Sequence, residues 1–157
     1  MKRPRKTSTV RWLLNASLLL ACGSGFAGCG VSVTGLNFGS YNVFSIAPLR
    51  SVGSLSVTCN ERPVPLVTIT LGPSANSGVT NPRALRKSGG TDVLRYNLFI
   101  DSAFSQIWGD GITGGGILSQ RVTRNAPWNA LVYGSLPALQ NVSAGSYSDN
   151  LLVTIIW

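Results

Sequence analysis

The sequence predicts an all-β protein, a β-sandwich of six or seven short strands, and three observations carry the prediction. Beyond residue 27 no helical period persists for two turns. Apolar residues alternate with polar ones in short runs, the period of a strand with one buried face. The runs are separated by Gly, Ser, Asn and Pro, which favour turns through backbone freedom, side-chain hydrogen bonding or a fixed φ.

The first run sets Val31 and Val33 against Ser32 and Thr34. The second sets Leu55, Val57 and Cys59 against Ser54, Ser56 and Thr58; the third sets Val67, Ile69 and Leu71 against Thr68 and Thr70. Each reads as a strand with one face buried. Residues 93–101 form a longer central strand, with Leu94, Tyr96, Leu98 and Ile100 on one face. Residues 108–118, WGDGITGGGIL, carry Asp110-Gly111 and three consecutive glycines and read as a turn or loop. Residues 128–136 resume the extended pattern until Pro137, which has no amide hydrogen for a neighbouring strand. The stretch SAGSY, residues 143–147, is a turn, and residues 150–157 are the closing strand.

The closing strand differs from the others. Leu151, Val153, Ile155 and Trp157 point one way, Leu152, Thr154 and Ile156 the other, so both faces are largely apolar. A strand of this kind normally sits inside a sheet with neighbours on both sides. No lysine, proline or bulge blunts it as a free edge. Two explanations stand side by side: internal pairing on both sides through Greek-key connections, or a strand supplied by another polypeptide.

The first 27 residues read as a secretory leader: a basic stretch (Lys2, Arg3, Arg5, Lys6, Arg11), an apolar stretch over residues 12–22, then Gly25-Phe26-Ala27 as a small-x-small cleavage site. The apolar stretch is shorter than the roughly 20 residues a membrane-spanning helix needs. Residues 28–157 then form one domain. The leader takes 5 of the 13 basic residues, so the net charge of +8 falls to +3. No basic patch interleaved with aromatics follows, which argues against nucleic acid as a partner. Cys22 leaves with the leader; its rival reading is a lipidated N-terminus, since Leu19-Leu20-Ala21-Cys22 resembles a lipobox. Cys29 and Cys59 remain, and in an exported chain their default is a disulfide.

The residue inventory argues against an enzyme. There is no histidine, and the five acids, Glu61, Asp92, Asp101, Asp110 and Asp149, are isolated in sequence. A serine nucleophile would lack its base, general acid–base catalysis would lack a paired group, and two cysteines alone do not make a zinc site. No metal and no cofactor is expected. Asp110 and Asp149 read as acceptors for turn backbone. Trp108 and Trp128 read as core or sheet-face aromatics rather than sugar-stacking platforms. Trp108, Ile112, Ile117 and Leu118 form a candidate surface-contact loop if that segment is exposed; folded back, it caps the sandwich.

A set of pieces ordered along the chain resembles the spore coat U domain family, which includes pilin subunits of archaic, Csu-type chaperone–usher pili. They are Cys29-Gly30-Val31, Leu36-Asn37-Phe38-Gly39-Ser40-Tyr41, Leu55-Ser56-Val57-Thr58-Cys59, Leu94-Arg95-Tyr96-Asn97-Leu98-Phe99-Ile100-Asp101, Trp108-Gly109-Asp110-Gly111, Tyr133-Gly134-Ser135-Leu136-Pro137-Ala138, Gln140, and Ala144-Gly145-Ser146-Tyr147-Ser148-Asp149. The resemblance implies an incomplete immunoglobulin-like β-sandwich that lacks its final strand. It implies a periplasmic pilus chaperone, an outer-membrane usher and neighbouring pilin subunits as partners, one of which supplies a donor strand. It further implies that Cys29 pairs with Cys59. The acceptor edge would be formed by Leu151, Val153, Ile155 and Trp157 of the last strand and Val31 and Val33 of the first.

One departure from the family's pattern bears on assembly: only Gly28 separates Ala27 from Cys29, where polymer-forming members carry an alternating apolar donor segment. The expectation is therefore a tip or minor pilus subunit. The alternatives are a free-standing secreted or lipid-anchored module that binds carbohydrate or an abiotic surface, and a spore or outer coat protein.

Overall fold

The computed structural model describes residues 28–157 except Glu61 and Asn125. The leader assigned to residues 1–27 and the alternative lipidation of Cys22 lie outside the described residues. Among the described residues there are nine strands: β1 (Cys29–Thr34), β2 (Leu49–Cys59), β3 (Leu66–Leu71), β4 (Arg83–Lys87), β5 (Val93–Phe99), β6 (Leu118–Arg121), β7 (Trp128–Leu136), β8 (Tyr147–Ser148) and β9 (Val153–Ile156).

They form a six-stranded sheet in the order β1-β2-β7-β5-β4-β8 and a three-stranded sheet in the order β6-β3-β9, every pairing antiparallel. The longest ladder joins β2 to β7 from Leu49↔Leu136 to Val57↔Trp128. Its inward face carries Leu55 and Val57 from β2 and Ala130, Val132 and Leu136 from β7, all buried. The small sheet answers with Val67, Ile69 and Leu71, and β5 adds Leu94, Tyr96 and Leu98, in one continuous apolar cluster. Period-two alternation thus becomes a core in β2, β3, β5 and β7.

Three strands depart from expectation. β4, RALRK, lies outside the runs read from the sequence and has Arg83 buried at 0 % exposure, although arginine is ordinarily a surface residue. β6 is LSQR, with one apolar residue, and is recruited by β3 through Ile69↔Leu118 to Leu66↔Arg121. β8 occupies Tyr147–Ser148, where a turn was expected, held by Lys87↔Tyr147 and Arg86↔Ser148.

β1 is the more informative departure. Val31 and Val33 pair with the buried Val57 and Leu55, so they point toward the core side of the large sheet. Yet they are 39 % and 56 % exposed, against the expectation of a buried face. Among the described residues β1 is the outermost strand of the large sheet and β9 that of the small one, and no further strand follows either.

Candidate functional site

The two open margins face each other across a groove. β1 closes one side of the large sheet, with β2 as its ladder partner, and β9 closes one side of the small sheet, with β3 as its partner among the described residues. Between them lies a cavity of about 280 Å³, bounded by Val33, Thr34 and Leu36 on one side and Leu151 and Val153 on the other. Its floor is the core itself: Leu55, Leu71, Leu98, Trp108 and Val132. Of the residues expected at an acceptor edge, Val33, Leu151 and Val153 line this one cavity. Val31 lies on the same inward face of β1, and Ile155 and Trp157 pack against the core from the last strand.

The pairing explains the apolar content of the last strand. Val153 and Ile155 sit opposite the buried Leu71 and Ile69 and share their inward face, while Thr154 and Ile156 sit opposite Thr70 and Thr68. Such a margin presents backbone N–H and C=O groups beside an apolar trough, the arrangement into which an extended peptide adds as a strand.

One end of the groove is polar. The Tyr96 hydroxyl donates to Asp149 Oδ2 at 2.7 Å, Asn76 Nδ2 donates to Asp149 Oδ1 at 3.1 Å, and both Tyr96 and Asp149 line the cavity. Burial, reinforced by the bond to Asp149, raises the Tyr96 pKa well above the ordinary phenol value, so the hydroxyl remains a donor. Behind them Arg83 Nη2 donates to the carbonyls of Trp108 at 2.8 Å and Gly72 at 3.2 Å, joining β4 to the end of β3. Burial lowers the Arg83 pKa, and the nearby Tyr96 and Asp149 oppose that shift. Arg83 Nε and Nη1 are buried with no hydrogen-bond partner among the described residues.

The chain between β1 and β2 closes the same end. Leu36 and Phe38 pack over Gly134, where an added Cβ would stand 2.8 Å from the tip of each side chain and would displace both. Phe38 meets Tyr96 edge to face with ring centroids 5.8 Å apart. Tyr41 then donates its hydroxyl to Pro137 O at 2.8 Å and accepts from Gln140 N at 2.8 Å. Gln140 in turn bonds both backbone groups of Arg95 with its side-chain amide, standing in for a ladder neighbour at the end of β5.

The glycine-rich loop requires a correction. Trp108 is 2 % exposed, its Nε1 donates to Ile69 O at 3.4 Å, and Leu118 begins β6 and packs on the core, so neither belongs to an exposed contact surface. Ile112 at 91 % exposure and Ile117 at 42 % do face outward. Asp110 shapes the loop, accepting from Thr113 Oγ1, Ile112 N, Thr113 N and Gly114 N, led by the Thr113 hydroxyl, and these bonds hold its pKa down at about 2. The expectation for Asp110 as a turn acceptor holds; Asp149 accepts from Asn150 N but also makes the long-range bonds to Tyr96 and Asn76. Asp101 accepts from the Ser105 and Gln106 amides within its own turn, and Asp92 accepts from Ser143, 51 residues away. Trp128 lies in the core cluster, as the sequence predicts.

At the opposite end of β1, Cys29 and Cys59 are register partners and form a disulfide, with Cα atoms 4.1 Å apart. The pairing implied by the resemblance is present, and it fastens the outermost strand to β2.

The model of the Spore Coat Protein U domain matches residues 16–154, a span that includes Val33, Asp149, Leu151 and Val153. The chain belongs to that family. It is 32 % identical over 157 residues to Protein U of Myxococcus xanthus, covering 95 % of this chain and 83 % of that protein. Its fold is similar to that of the chaperone–tip adhesion subunit pre-assembly complex from the archaic chaperone–usher Csu pili of Acinetobacter baumannii, with a TM-score of 0.58 at 18 % identity. That likeness covers 84 % of this chain, which spans 40 % of the other. A weaker likeness, TM-score 0.43 at 12 % identity over 80 % of this chain and 79 % of the other, is to the minor tip subunit of the E. coli Hda pilus. The chain is thus an all-β, immunoglobulin-like member of the spore coat protein U domain family.

Proposed function

We propose that the chain is an exported structural subunit of a bacterial surface pilus, joined to its neighbours by donor-strand complementation. The observation that carries the reading is the groove between β1 and β9, where two strand margins flank a trough opening onto the core. A strand laid there by a neighbouring polypeptide bonds both margins and covers Val33, Leu151 and Val153. Each large apolar side chain it buries contributes about 1.5–3 kcal/mol. Before assembly the same groove is what a periplasmic chaperone holds, and an outer-membrane usher passes the subunit outward. Residues 22–28, CGSGFAG, contain a single large apolar side chain, Phe26, which favours a tip or minor position over a repeating one.

A coat protein built from the same domain is the second reading, favoured by the match to the Spore Coat Protein U domain model. In it the groove takes a strand from a neighbouring coat polypeptide.

The test adds alternating apolar peptides to the purified, disulfide-bonded chain and follows thermal unfolding. A peptide that adds as a strand raises the melting temperature by about 5–10 °C at a hundredfold excess over its Kd. A monomer whose unfolding no such peptide moves contradicts the reading. Co-purification with a periplasmic chaperone in the native host separates a pilus subunit from a coat protein.

A further inference from the structure

The groove is apolar along its length and acidic at one end, and that asymmetry specifies its occupant. Asp149 lines the 280 Å³ groove and also an adjoining cleft of about 780 Å³, so it stands where one opens into the other, beside Leu36, Phe38 and Leu85, which border both. Its carboxylate is held in place by Tyr96 through Oδ2 and by Asn76 and the Asn150 amide through Oδ1. A carboxylate offers about four acceptor sites, and these three bonds leave one. The nearby cation, Arg83, is fully buried and feels Asp149 through space, but its Nη2 bonds go to the carbonyls of Gly72 and Trp108, not to the carboxylate.

Resting on the donor-strand reading, we infer that the strand this groove accepts carries a basic side chain at the residue that meets Asp149, next to inward residues that are apolar. The pair fixes the register of the inserted strand. Because inward side chains repeat every second residue, apolar contacts are nearly satisfied again after a slip of two, whereas only one placement brings the base to Asp149. An acidic residue at that point meets a fixed like charge and is rejected.

The experiment uses the purified, disulfide-bonded chain and fluorescent peptides of about ten residues with an alternating apolar pattern. Lysine, alanine or glutamate replaces each inward residue in turn, and Kd is read by fluorescence polarisation. The inference expects one position, at the end of the peptide near Phe38 and Leu151, where lysine binds about fivefold to tenfold tighter than alanine and glutamate weaker than both. In Asp149→Asn the three peptides converge, and in the unaltered chain 0.5 M salt shrinks the difference, because the screening length is about twofold shorter than at physiological salt. The salt series decides the matter if Asp149→Asn folds poorly. Lysine costing affinity at every position, or an unchanged preference in Asp149→Asn, overturns the inference while leaving strand addition standing. Failure of the all-apolar parent peptide to bind overturns strand addition and the inference with it.

Discussion

Val33 and Val153 line the same cavity from opposite sheets, one on the outermost strand of the large sheet and the other on the outermost strand of the small one. Both point inward, because each sits opposite a buried residue, Leu55 and Leu71 respectively. A closed sandwich would cover such residues with a further strand. The separation of these two margins is the structural basis for reading the domain as an acceptor of another polypeptide's strand.

The disulfide is what keeps the β1 margin in place. Among the described residues β1 has one ladder neighbour, and its side chains are mostly exposed, so little burial holds it. Cys29 and Cys59 lie 30 residues apart, a loop whose closure contributes about 3–4 kcal/mol in the chain-entropy model. Cys29→Ser lowers stability by about that amount in denaturant unfolding and abolishes the peptide-induced rise in melting temperature. Thiol labelling of both residues in the native protein contradicts the bridge.

Trp108 and Ile112 separate core from surface within one loop. Trp108→Ala removes a buried indole that bonds Ile69 and supports the carbonyl contacted by Arg83, and it costs about 3–5 kcal/mol. Ile112→Ala, at a nearly fully exposed side chain, changes stability by less than about 0.5 kcal/mol. Urea midpoints of the two variants make the comparison.

Acid sensitivity follows from the turn carboxylates. The pKa of Asp110 is held at about 2, chiefly by the Thr113 hydroxyl, and those of Asp92 and Asp101 are lowered, chiefly by Ser143 and by the Ser105 amide. A depressed carboxylate stabilises the fold above its unfolded value of about 3.9 and loses that contribution as pH falls through its folded value. Stability is therefore level from pH 5 to 8, where the absence of histidine leaves no side chain with an ordinary pKa to titrate, and declines from about pH 4 to 2. Asp110→Asn shows a shallower decline in midpoints measured across that range.

Much of the fold was legible because period two is a direct imprint of burial: Leu55 and Val57, Val67 to Leu71, Leu94 to Leu98 and Ala130 to Leu136 all alternate in sequence and face the core. The β7 boundaries, Trp128 and Leu136, coincide with the expected run because Pro137 ends it. β4 was not legible because burial of Arg83 depends on carbonyls at Gly72 and Trp108, which are brought near only by the tertiary fold. β6 and β8 have too few apolar residues to show a period and exist through their partners. At the site, the apolar margins were visible in Val31, Val33 and the last strand. The acidic end was not, since Asp149 meets Tyr96 and Asn76 from 53 and 73 residues away.

Hydrogen–deuterium exchange of the β1 and β9 amides, with and without an added strand peptide, is the most direct test of the acceptor groove. Alternate amides of Cys29–Thr34 and Val153–Ile156, those turned away from β2 and β3, should exchange rapidly in the isolated monomer and become protected together when the peptide binds. Full protection of both strands in the monomer, unchanged by any peptide, would contradict the account.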